Sequence, residues 1–208
     1  MKKNIILVII SVIFSLYTLN LIIVVVKFYK KDHYGLEKLN KVLDGSYDTR
    51  NSFQVYSENK KNGLKILPMV YGGDYFNYYK LNKKVLFPLG TISNKKTIFC
   101  NEEGKWLYIN TDRYGFNNID QLWNFKKLNA IFIGDSFVAG ECVKNSNNLS
   151  NQLSNKKDWN ILNLGFPGNS PFQNLAAMKE YIIDTKNVDN IFWFFSEAND
   201  IQDLSIFK

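Results

Sequence analysis

At 208 residues, with 46% hydrophobic and 22% charged side chains, the chain can bury one core of ordinary size and a smaller appendage. The net charge of +7 is uneven: residues 130–208 are mildly acidic, which argues against nucleic acid as the substrate of that half, and no nucleic-acid-binding motif is present. The two cysteines, Cys100 and Cys142, have neither metal-site nor C-x-x-C spacing, which excludes a zinc framework and a dithiol redox centre.

In chain order, the first element is an apolar run from Ile5 to Val26, preceded by Met1-Lys2-Lys3 and interrupted only by Ser11, Ser15, Tyr17, Thr18 and Asn20. About 20 such residues, rising 1.5 Å each in a helix, cross a bilayer. The run ends in Val24-Val25-Val26-Lys27 with no small-residue cleavage pattern, so residues 1–27 are expected to form an uncleaved signal anchor rather than a cleaved signal peptide. Lys27, Lys30 and Lys31 balance Lys2 and Lys3, and charge alone therefore leaves the orientation open. Leu36, Leu39, Val42 and Leu43 then form a short helical stripe, ended by Gly45.

Residues 28–129 read as this juxtamembrane helix followed by a β-rich or irregular lead-in. Beyond Gly45 the region lacks helical periodicity and carries turn signals at Gly72-Gly73-Asp74 and Glu103-Gly104-Lys105. Trp106-Leu107-Tyr108-Ile109-Asn110 has strand character. The region is basic; the simplest reading is a solvated Lys- and Asn-rich surface, with anionic lipid or glycan as the alternative partner. Residues 130–208 are mildly acidic.

From residue 130 the rhythm becomes strand, loop, helix. Strand 130–133 leads into Gly134-Asp135-Ser136, with a helix expected near 147–154. Strand 160–164 leads into Gly165-Phe166-Pro167-Gly168, with a helix from about 171 to 185 that Ser170 caps and Pro171 opens. Strand 190–195 leads into Ser196-Glu197-Ala198-Asn199-Asp200. Continuous apolar strands alternating with helices predict an α/β fold with a parallel sheet covered on both faces.

The three carboxyl-end loops carry Ser136, Gly168 and Asn199. A serine hydroxyl needs a base to become a nucleophile, and its tetrahedral intermediate needs donors aimed at the oxyanion. The backbone N–H groups of Ser136 and Gly168 and the Asn199 amide would make three such donors. Each tripeptide alone is an ordinary turn or cap; the order of the three, each after a buried strand, is what points to a site. A nucleophile elbow would need glycine where Val138 stands, and no phosphate-binding loop is present.

Residues 130–203 resemble the first three blocks of the SGNH, or GDSL-type, hydrolase superfamily: Gly134-Asp135-Ser136, Gly168, and Asn199-Asp200. Asp112-Arg113-Tyr114-Gly115-Phe116 is similar to a segment of membrane-anchored members associated with surface polysaccharides. The resemblance implies a three-layer α/β/α fold acting on O-acyl esters without a metal or other cofactor. Ser136 would be the nucleophile, and Gly168 and Asn199 the oxyanion donors. Ala198 replaces the glycine of the third block, and the closing Asp-x-x-His block is missing; the one histidine, His33, follows the apolar run. The expectation is the N-terminal part of a longer, single-pass, extracytoplasmic esterase or O-acyltransferase acting on an O-acylated glycan. A non-catalytic or truncated glycan-binding or assembly protein is the alternative, as is a lipase or thioesterase on the same scaffold. If the protein is exported, Cys100 and Cys142 either bridge the lead-in to the sheet or remain two buried thiols.

Overall fold

The computed structural model describes residues 7, 10–26, 45–71, 80–81, 84–85, 88–197 and 200–203. The chain divides into two compact units, Met1–Thr49 and Arg50–Lys208. In the first unit, residues 10–26 form helix α1, with its apolar side chains exposed. Two of its hydroxyls are satisfied within the helix, Ser15 Oγ donating to Ser11 O (2.8 Å) and Thr18 Oγ1 to Ser15 O (2.9 Å). Among the described residues no helix is long and apolar enough to cross a membrane. Part of the expected 1–27 anchor, the stripe at 36–43 and His33 lie outside the described residues.

The second unit opens with helix α2, Ser52–Lys61. It forms in a segment without helical periodicity, within the region expected to be β-rich or irregular. A capping box starts it, in which the Asn51 side chain accepts from Gln54 N and the Gln54 side chain accepts from Asn51 N. The helix buries only Val55, so it has almost no apolar stripe for periodicity to register.

The lead-in builds two small sheets. Strand β1 (Ile66–Pro68) runs parallel to β4 (Lys96–Cys100), which pairs antiparallel with β5 (Leu107–Asn110). A separate two-stranded ladder joins β2 (Lys80–Leu81) to β3 (Lys84–Val85). Val55, Ile66 and Ile98 pack together beneath α2.

The second half follows the expected alternation. Strand β6 (Lys127–Ile133) ends at the short helix α3 (Ser136–Ala139), and α4 (Leu149–Lys157) leads to β7 (Ile161–Asn163). Helix α5 (Pro171–Tyr181) has the Ser170 cap and the proline at its start, completed by Gln173 in a capping box. Strand β8 (Asn187–Trp193) and the short α6 (Asp200–Asp203) follow. The sheet order is β7-β6-β8, all parallel, with Ile131 opposite both Leu162 and Ile191.

From Ala130 to Ile133 the pleat sends β6 side chains alternately to two cores. Leu128, Ile131 and Ile133 join Leu162, Leu164 and Ala177 of α5 on one face. Ala130 and Phe132 join Ile161 and Val138 on the other, where Leu153 of α4 covers them. The central strand is thus buried on both sides, as a parallel sheet requires. Strand β8 departs from this pattern. Ile191, Phe192 and Trp193, with Phe194 and Phe195 beyond them, are all exposed, although Phe132 packs edge-on against Phe192 and Phe194.

Candidate functional site

Ser136 stands at the carboxyl end of the central strand, half-buried, as the first residue of α3. Asp135 before it is buried and caps the turn, its side chain accepting from Phe137 N (3.0 Å). Asp135 O accepts from Ala139 N (3.0 Å), and Gly140 closes the turn in a left-handed conformation. Phe137, the residue after the serine, is 78% exposed.

The loop after the neighbouring strand β7 lies against this turn. Phe166 N donates to Gly134 O (3.2 Å), tying the two carboxyl-end loops together. A Cβ on Gly165 would stand 2.4 Å from Ala139 N and 2.7 Å from Val138 C, so only glycine lets the two backbones approach this closely. Gly168 has the positive φ of 77° that favours glycine, and its backbone is exposed with no atom within 4 Å of where a Cβ would be. Asn199, the third expected donor, lies outside the described residues. Beside it, Asp200 is buried and its carboxylate accepts from Ser196 N (2.6 Å), closing the loop after β8.

Ser136 and Gly168 therefore occupy the carboxyl-end loops of adjacent strands. Among the described residues, no base is hydrogen-bonded to the Ser136 hydroxyl, and no cluster of His, Cys, Asp or Glu is suited to a metal. Glu141, two residues past α3, is half-buried and accepts from the Tyr71 hydroxyl (3.2 Å). Burial pushes its carboxyl above the ordinary range; the charges of Glu102 and Asp135 push the same way, and the Tyr71 hydrogen bond opposes them.

Sequence reasoning missed a set of buried polar residues around the turn. Asp112 is fully buried and accepts four hydrogen bonds: Oδ1 from Tyr114 N and Phe116 N (both 2.9 Å), Oδ2 from Asn118 Nδ2 (2.8 Å) and Trp123 Nε1 (2.7 Å). Burial raises its pKa, and these hydrogen bonds counter that. Asn118 in turn holds both backbone groups of Asn163, donating to its O (2.8 Å) and accepting from its N (2.9 Å), so the lead-in covers the outer edge of β7. The sequence marks 110–118 by its density of Asp and Asn and by the resemblance of Asp112-Arg113-Tyr114-Gly115-Phe116, which signal a turn but not what it touches.

Cys100, at the end of β4, and Cys142, just after α3, form a disulfide with Cα atoms 5.4 Å apart. It closes the alternative left open by the sequence in favour of a bridge from the lead-in to the serine-bearing loop.

No family model, curated protein or solved structure matches this chain.

Proposed function

We propose that this protein is a serine-nucleophile esterase or O-acyltransferase of SGNH type, acting on O-acyl esters of a cell-surface polysaccharide. The observation that carries the reading is Gly134-Asp135-Ser136 at the carboxyl end of the central parallel strand, with the open Gly168 loop at the end of the next strand. Helices on both faces of β6 suit the three-layer α/β/α arrangement of that superfamily.

In this mechanism Ser136 Oγ attacks the acyl carbonyl. The N–H groups of Ser136 and Gly168 and the Asn199 amide then carry the oxyanion charge, each donor worth roughly 10²–10³ in rate. Collapse of the intermediate expels the sugar oxygen and leaves an acyl-serine, which water or a second hydroxyl resolves. The proton from Ser136 needs a base, the role an Asp-x-x-His pair fills in that superfamily. Phe137, open to solvent beside the serine, offers an apolar surface to the acyl group or a sugar ring. The N-terminal apolar run is taken as a single-pass anchor with the catalytic region outside the cytoplasm. The Cys100–Cys142 disulfide favours that oxidising side.

The test is acetate release from an O-acetylated polysaccharide by the protein in its native membrane. Wild-type release and its loss in Ser136→Ala are expected; full activity in Ser136→Ala would rule the assignment out. A non-catalytic glycan-binding role is the second reading, favoured by the lack of a hydrogen-bonded base at Ser136 among the described residues. It is separated by polysaccharide binding that survives Ser136→Ala without any acetate release from the wild type.

A further inference from the structure

A helical turn of four residues leaves every one of its carbonyls without a partner inside the helix. In α3, which begins with Ser136, each of the four is nonetheless satisfied. Ser136 O accepts from Glu141 N (3.0 Å) and Phe137 O from Gly140 N (3.3 Å), as ordinary C-capping provides. The last two accept from side chains far along the chain: Val138 O from Asn163 Nδ2 (2.6 Å) and Ala139 O from Asn117 Nδ2 (3.0 Å).

Both amides are themselves buried and held in place. Asn163 is 1% exposed; its Oδ1 accepts from Gly165 N (2.8 Å), and Asn118 grips its backbone on both sides. Asn117 is 6% exposed and follows directly from the turn organised by Asp112. Among the described residues its Oδ1 has no hydrogen-bond partner, so the donor gives this side chain its polar role. An isolated turn of this length has no helical stability of its own. What fixes its direction, and with it the direction of Ser136, is the set of groups that grip its far end.

We propose that Asn117 and Asn163 are positioning residues for Ser136, holding the carbonyl end of α3 and with it the orientation of the residue that opens the turn. The inference rests on Ser136 being the nucleophile. It makes the lead-in a working part of the site: Asn117 reaches it from the preceding loop, Asn163 from the neighbouring strand, and Cys142 is tied to Cys100 just beyond. The sequence separations, 22 residues for Asn117 to Ala139 and 25 for Asn163 to Val138, are bridged only in the folded state.

The experiment uses the full chain and the variant Asn117→Asp, which keeps the side-chain shape and replaces the donor with a carboxyl that is charged at pH 8. Two quantities are read: hydrogen exchange of the peptide covering 136–143, and the rate at which a fluorophosphonate labels Ser136 across a pH range. In the variant at pH 8, faster exchange confined to that peptide and labelling slowed about tenfold are expected, the scale of one lost hydrogen bond. As the pH falls and the introduced carboxyl takes up a proton, its O–H can donate to Ala139 O. The ratio of variant to wild-type labelling should then climb back towards one, with exchange outside 136–143 as in the wild type at every pH; a general loss of stability would instead speed exchange across the sheet as well. Unchanged exchange over 136–143 would overturn the grip on the turn. Faster exchange with labelling as in the wild type would overturn the positioning role. Absence of labelling in the wild type itself would instead remove Ser136 as the nucleophile, a separate failure identified before any variant is compared.

Discussion

Gly165 and Glu141 act on the serine turn through different physics. At Gly165 the constraint is space. A methyl group there would meet backbone atoms of Val138 and Ala139, which cannot swing aside as a side chain could. Gly165→Ala is therefore expected to cost about 1–3 kcal/mol in urea unfolding, as overpacking of a tight contact does. Stability within 0.5 kcal/mol of wild type would mean the two loops are not packed as described. At Glu141 the constraint is charge. Its carboxyl, raised by burial, favours the folded state while protonated, and that contribution is lost as the pH rises from the ordinary value near 4.5 through the raised one. Glu141→Gln should remove this part of the pH dependence, so that melting temperature falls less across that window than in the wild type. Parallel curves for the two proteins would contradict the shift.

The turn Asn110–Asn118 and the disulfide are the elements that join the lead-in to the sheet. Each Asp112 oxygen accepts two donors, so Asp112→Asn must set an amide NH₂ against two N–H groups whichever way it lies. The expected loss is roughly 2–4 kcal/mol by chemical denaturation, given about 1–3 kcal/mol for each buried group left unpaired. A variant as stable as the wild type would mean that Asp112 is not the hub of the turn. The disulfide spans 42 residues, and loop-closure entropy gives it about 4 kcal/mol. The double variant Cys100→Ser with Cys142→Ser should lose stability on that scale, and a loss below about 1 kcal/mol would contradict it. These elements also mark where the sequence was legible. Ser170 and Pro171 announce α5, and Gly134-Asp135-Ser136 announces the end of β6, because caps and strand ends are written locally. Helix α2 is written only in its capping box, since a helix burying one side chain leaves no periodic pattern. The roles of Asp112, Asn117 and Asn163 are set by contacts across the fold, and no local pattern encodes them.

Across the whole serine-bearing unit, the parallel sheet is sealed unevenly. The β7 edge is gripped by Asn118, whereas β8 presents Ile191, Phe192 and Trp193 to solvent beside an apolar groove of about 380 Å³ floored by Ile133 and bordered by Phe172 and Met178. A strand with apolar groups on both faces has the composition of a sheet interior. The sequence already carried this in Phe192-Trp193-Phe194-Phe195, and the structure adds that no described element covers it. Just past the carboxyl end of the central strand stands Ser136, the nucleophile proposed above. Oxyanion donors and binding alone retain roughly 10³–10⁴ of rate enhancement over water when triad members are missing. The most direct measurement is fluorophosphonate labelling of the folded chain, located by peptide mass spectrometry. Modification at Ser136, faster than in the denatured chain and absent in Ser136→Ala, is the result this account predicts. A folded chain whose Ser136 reacts no faster than its other serines would contradict it.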